Sequence, residues 1–281
     1  MRHQRTNHHH AAENVSKTAF WHHRLEPAEM GKLFALVPSR RTDPYFMSHA
    51  DIDAEDAVIF RETNQSAKRM ARLPCRLHTL LDLVAWNRTY GFLSTDYLLA
   101  PYPTDPEVRF SRYAHIDTFV YDKQAGTSES SKPEGWGDLH LPLERFAGKR
   151  GLPGFGRYGL VLFAQTLEHL YDPVLCLRNM HRAMAPGGFL FTSVPMLNHL
   201  HMAPIFFSEP TPYGLVVWMK QAGFDVLRVG VFGNELYMEN LGKYIHHWPK
   251  WERYYNATRR PQIINDHTRP VQSWVLVRKP V

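Results

Sequence analysis

Cysteine is scarce: the 281-residue chain holds two, Cys75 and Cys176. Two cysteines exclude a disulfide-stapled scaffold and a cysteine-rich zinc module, and they suit a reducing compartment. Long apolar runs are missing as well. No stretch approaches the ~20 consecutive apolar residues that cross a bilayer as a helix, so no membrane association is expected. The first twelve residues are basic and histidine-rich, with no apolar segment behind them. That pattern predicts no secretory signal and a cytoplasmic location. The Asn-x-Ser/Thr triplets at Asn14, Asn64, Asn87 and Asn256 are accordingly read as chance matches. The formal net charge is +6, yet Lys and Arg are scattered among acids rather than gathered in one stripe, so nucleic acid is not an expected partner.

What is present is an ordinary globular composition, 44% hydrophobic and 21% charged, in a chain long enough for one well-buried domain and an extension. Residues 1–75 read as an irregular N-terminal extension and residues 76–281 as the ordered domain. Leu77, Leu80, Leu81, Val84 and Ala85 recur at helical spacing, although residues 80–84 also suit a short strand. Residues 91–99 and 108–121 are rich in aromatic and β-branched side chains and read as strands. Residues 158–164 form a continuous apolar run, the pattern of a strand covered on both faces of a parallel sheet.

Asp172-Pro173 then supplies an N-cap followed by a first-turn proline. Val174, Leu177, Met180 and Met184 share one helical face, and Pro186-Gly187-Gly188 turns the chain into a second buried strand, 189–194. Thr211-Pro212 repeats the start signal for a helix whose buried stripe is Leu215, Val216, Met219 and Ala222. Gly223 provides the left-handed stop before a strand at 225–231. A helical segment is expected around residues 237–255 and a last strand at 271–277. Strands alternating with single helices predict an α/β fold with a doubly wound, mostly parallel sheet.

The ordered set Leu167-Glu168-His169, Asp172-Pro173, Pro186-Gly187-Gly188 and Ala222-Gly223-Phe224 resembles the class I S-adenosylmethionine-dependent methyltransferases, in particular the type 11-like members. The resemblance covers roughly the last 200 residues. It implies a Rossmann-like sheet closed by a final antiparallel strand, S-adenosylmethionine as cofactor, and methyl transfer to a small or medium acceptor. It also implies that Gln165, Thr166, Leu167 and His169, on an exposed turn after the strand at 158–164, wall the cofactor. Asp138 and Leu139 resemble the position that meets the adenine. Asp96, beside Tyr97 at a strand end, resembles the acid that accepts from the ribose hydroxyls. The best match to the family's glycine-rich first motif is at residues 80–88. There Asp82 is retained, but Val84 and Trp86 stand where glycines are expected. A catalytically inactive, methyltransferase-like binding or scaffold protein is therefore the alternative reading.

Two further patterns complete the sequence. Gly151, Gly154 and Gly156 precede a strand, whereas phosphate-binding glycines follow a strand and open a helix. With no Gly-x-Gly-x-x-Gly in the right place, a nicotinamide-dependent enzyme is disfavoured. His199 and His201 follow the strand at 189–194, and a neutral imidazole there suits removal of a proton from an acceptor hydroxyl or amine. No carboxylate or third histidine stands near that pair in sequence at ligand spacing, so no metal site is expected.

Overall fold

The computed structural model describes residues 25–38, 45–48, 57, 60, 61, 64, 74–100, 103–118, 156–201, 206–233, 235, 237–239 and 262–281. Among the described residues the helices with both ends defined are α1 (Pro27–Phe34), α2 (Pro74–Tyr90), α3 (Pro173–Ala183) and α4 (Pro212–Gln221). The strands are β1 (Tyr45–Ser48), β2 (Ser94–Ala100), β3 (Arg112–Thr118), β4 (Tyr158–Ala164), β5 (Met184–Pro195), β6 (Asp225–Phe232), β7 (Gln262–Asn265) and β8 (Gln272–Arg278). Six strands form one sheet in the order β3-β2-β4-β5-β8-β6, and β1 pairs separately with β7.

Within the large sheet β3, β2, β4 and β5 are mutually parallel. β8 runs antiparallel to both neighbours, β5 and β6. This is the expected doubly wound sheet with one reversed final strand.

The apolar runs read as they do because both sheet faces are covered. Along β4, Leu160 and Leu162 face one core with α2, while Tyr158, Val161 and Phe163 face the other with α3 and α4. β8 alternates in the same way, Trp274 and Leu276 to the first side and Val275 and Val277 to the second. Leu25, Leu33 and Val37 are also buried in the second core, so α1 packs on the domain. Phe34 meets Tyr213 edge-on at 5.1 Å, and Glu29 pairs with Lys220 at 3.2 Å.

The expected caps are in place. Asp172 Oδ1 accepts from the Leu175 amide at 3.0 Å, and Thr211 Oγ1 accepts from the Gly214 amide at 3.0 Å. Gly223 turns out of α4 at φ +96°. Met184 is a correction: it opens β5, opposite Tyr158, instead of continuing the face of α3.

A larger correction concerns residues 80–88. They are the middle of α2, not a strand followed by a glycine turn. Leu77, Leu80, Leu83 and Val84 are buried together, and Trp86 packs at 6.0 Å from Phe191. The helical spacing prevails because it gathers these side chains on one face against the sheet. The strand that follows, β2, occupies the place beside β4 that the first motif would have required. Of the segment expected to be helical at 237–255, only residues 237–239 are described, and they are helical with Tyr237 fully buried.

Candidate functional site

The chain leaves β2 for the sheet edge at β3, then returns to lay β4 on the other side of β2. The switch point therefore lies between the carboxyl ends of β2 and β4, where ligands of open α/β sheets sit. Ala100 ends β2 at this edge. Ala164 ends β4, opposite Ser193 of β5.

Gln165 is the first residue beyond β4 and one of two described non-glycine residues with positive φ, at +50°. Its amide donates to the Ser193 carbonyl at 2.8 Å, and its Nε2 donates to Ser193 Oγ at 3.1 Å. Those two bonds hold a backbone conformation that costs of order 1–3 kcal/mol, the kind of strain that clusters at functional sites. Thr166 Oγ1 closes on the Ala164 carbonyl at 2.9 Å. Leu167, Glu168 and His169 form one 3-10 turn.

That turn is buried, not exposed as its sequence suggested: the three side chains are 0%, 1% and 8% accessible. The segment after β5 covers it. The Phe207 amide donates to the Glu168 carbonyl at 2.8 Å, and the Phe206 ring lies 6.0 Å from His169 and 4.7 Å from His201. His169 and His201 meet edge to face at 5.0 Å. His201 Nδ1 stands 2.9 Å from the His199 carbonyl and 3.2 Å from Asn198 Nδ2.

Electrostatically this edge is acidic and poorly solvated. Burial pushes the Glu168 carboxyl up to about 8; nearby Glu209 adds to the rise and Arg76 opposes it. Burial also raises Glu209. Arg76, in the first turn of α2, pairs with buried Glu107 at 2.5 Å. Asp105 is raised to about 6 by burial and then by Glu107, with Arg76 opposing.

The structure thus gathers Gln165, Thr166, Leu167, His169, His199 and His201 at one edge. It does not bring Asp96, Tyr97 or Asp82 to that edge. Asp96 is exposed in the first half of β2, four residues or roughly 13 Å from its carboxyl end. Tyr97 stacks on His115 at 4.9 Å, with the Arg157 guanidinium 3.7 Å over its ring. Asp82 sits inside α2, where Trp274 Nε1 donates to its Oδ2 at 2.8 Å. Asp138 and Leu139 lie outside the described residues.

Sequence reasoning missed Arg76, Asp105, Glu107 and Glu209, and it missed Asp117, the penultimate residue of β3. Asp117 Oδ2 accepts from the Tyr158 hydroxyl at 2.8 Å. Only the Pro-rich turn after β2 could have marked Asp105 and Glu107. The others acquire meaning from strand order.

Strand order, the single reversed strand and the position of the switch point define an α/β protein of the class I methyltransferase fold. Among solved structures the chain is similar to NodS, an N-methyltransferase of Bradyrhizobium japonicum WM9 in complex with S-adenosyl-L-homocysteine: 12% identity, TM-score 0.41, 81% of this chain and 99% of that one. It is similar also to an S-adenosylmethionine-dependent methyltransferase of Mesorhizobium loti, at 12% identity and TM-score 0.42 over 70% of this chain and 95% of that one. A third is a SAM-dependent methyltransferase of Archaeoglobus fulgidus, at 12% identity and TM-score 0.40 over 79% and 99%. No protein-family model matches the chain, and no curated protein matches it in sequence.

Proposed function

We propose that this chain is an S-adenosylmethionine-dependent methyltransferase acting on a small or medium acceptor. The observation that carries this reading is the switch point between the carboxyl ends of β2 and β4, with the strained Gln165 and the buried polar turn beside it. A nucleoside suits this edge. Gln165 and Thr166 present polar groups there. Asp117, near the end of β3, offers a carboxylate that can accept from two ribose hydroxyls, the role Asp96 is too far down its strand to play.

The turn after β2 departs from the family. Its sequence, Ala100-Pro101-Tyr102-Pro103-Thr104-Asp105-Pro106, has no glycine and three residues without an N–H. The grip on the methionine portion would then fall to the β4 side of the switch point, Gln165 to His169, rather than to backbone amides of a glycine loop.

S-adenosylmethionine, when bound, supplies an electrophilic methyl group. The residues around it align acceptor and methyl and exclude water. Asp138 and Leu139 would meet the adenine. His199 or His201 would take the proton released by an acceptor hydroxyl or amine. Contacts of His201 Nδ1 with the His199 carbonyl and Asn198 Nδ2 fix the plane of that imidazole.

Calorimetric titration of the full chain with S-adenosylhomocysteine tests this reading. Saturable binding is expected, and Asp138→Ala should weaken it by roughly 1–3 kcal/mol through a lost hydrogen bond. No heat of binding at millimolar ligand would overturn it.

A further inference from the structure

We propose that Glu168, His169 and His201 form a binding site for a divalent transition-metal ion of the zinc type. One ligand atom from each of the three lies within 4.8 Å of the other two. Tetrahedral zinc holds its N and O ligands about 2.0–2.2 Å from the ion, which puts them roughly 3.5 Å from one another. His169 Nε2 and Glu168 Oε1 already stand 3.7 Å apart. That pair is already near coordination spacing, and His201 closes the set from no more than 4.8 Å.

A second observation points to a missing cation. Glu168 Oε2 and Glu209 Oε1 are both buried and have no hydrogen-bond partner among the described residues. Glu209 lies close enough to act electrostatically on Glu168 and to feel His201. A carboxyl as deeply buried as Glu168 is costly to ionise unless it is paired or bound to a metal, and half-buried Glu209 adds negative charge near it. Arg76, the described cation that acts electrostatically on Glu168, is engaged by Glu107 at 2.5 Å.

Supporting geometry favours a metal over a fortuitous cluster. Ligating histidines characteristically give their other ring nitrogen to a carbonyl or carboxylate, which fixes tautomer and ring plane. His201 Nδ1 lies 2.9 Å from the His199 carbonyl, a contact that holds the ring plane beside His169. The backbone builds the site from two neighbouring strands: Ala164 and Ser193 are in register, so the turn after β4 and the segment after β5 emerge side by side. Two imidazoles and one carboxylate suit zinc, cobalt, nickel or ferrous iron and not magnesium or calcium, which favour all-oxygen shells.

Three protein ligands leave a coordination position open, the arrangement of a catalytic rather than a structural site. An ion there would engage His201 and leave His199 as the proton acceptor; it would receive an oxygen-bearing acceptor and lower the pKa of its hydroxyl. That last step rests on the methyltransferase reading; the metal site does not.

The test uses the full chain with His8, His9 and His10 replaced by alanine, because that run can itself take up metals. After chelator treatment and dialysis, the protein is titrated with Zn2+ by calorimetry and with Co2+ by visible absorption. One ion per chain is expected, with a ligand-field band for cobalt in low coordination. Glu168→Gln and, separately, His201→Ala should each weaken binding by on the order of 100-fold, with the far-ultraviolet circular dichroism unchanged. Equal affinity in wild type and both variants, or no stoichiometric uptake by the folded wild type, would overturn the proposal. Should a variant unfold, His169→Gln with the same titration decides the matter by the same criterion. S-adenosylhomocysteine binding to the metal-free protein is measured in parallel, so that loss of one reading is visible without loss of the other.

Discussion

Asp82 is an acid turned onto the sheet, and its cost follows from its surroundings. Burial raises its carboxyl from 3.8 to about 6, with the Trp274 N–H opposing. Below pH 3.8 the side chain is protonated in both folded and unfolded chains and costs nothing. As pH rises through 3.8 the unfolded chain releases the proton first, so the folded state loses relative stability until pH passes about 6. The full loss is roughly 3 kcal/mol at about 1.4 kcal/mol per pKa step. Asp82→Asn keeps an acceptor for the indole and removes the charge. It should raise stability above pH 6 by about 1–3 kcal/mol and flatten the dependence between pH 4 and 6, as read by urea denaturation. Identical pH profiles for the two proteins would contradict the assignment. Gly230 guards the same contact: a Cβ there would overlap Trp274 Nε1 and Asp82 Oδ2. Gly230→Ala should cost about 1–3 kcal/mol or more by forcing both groups aside. The wild-type denaturation midpoint in that variant would show the indole to be loosely held. Neither contact was legible in the sequence, because Asp82 and Trp274 are 192 residues apart and meet only through the packing of α2 on β8.

At the scale of elements, legibility tracked the strength of local signals. β4 was readable to the residue because its seven-residue apolar run can only be satisfied by two covered faces. The starts of α3 and α4 were readable because Asp-Pro and Thr-Pro pair a side-chain acceptor with a proline whose missing N–H costs nothing at N1. Asp172→Ala and Thr211→Ala should each cost about 1 kcal/mol in denaturation experiments. No change in either would show the caps to be replaced by solvent. The expected first motif failed for a physical reason of its own. Leu80, Leu81, Leu83 and Val84 read equally as part of a helical stripe and as a short apolar run, and tertiary packing of Trp86 on Phe191 decides between them. With β2 rather than residues 80–88 beside β4, Asp96 falls in the first half of its strand, while Asp105 and Glu107 follow its carboxyl end and Asp117 lies next to the end of β3.

The whole molecule makes one site out of residues that carry little meaning singly. Glu168 and His169 leave β4, His201 and Glu209 follow β5, and Arg76 opens α2; strand order brings them to one edge. The sequence showed the histidines without their carboxylates because ligand spacing along the chain is no guide when two strands supply the ligands. A hollow lined by Asn87, Gly91, Ser94 and Arg112 opens at the amino ends of β2 and β3. It holds none of the residues gathered at the carboxyl edge. The choice between these two edges is therefore the sharpest question the fold poses. A crystal structure of the full chain grown with saturating S-adenosylhomocysteine settles it. The nucleoside is expected between the carboxyl ends of β2 and β4, within hydrogen-bond reach of Gln165 or Asp117. Density for the ligand in the Asn87–Arg112 hollow, or no bound ligand at saturation, would contradict the account.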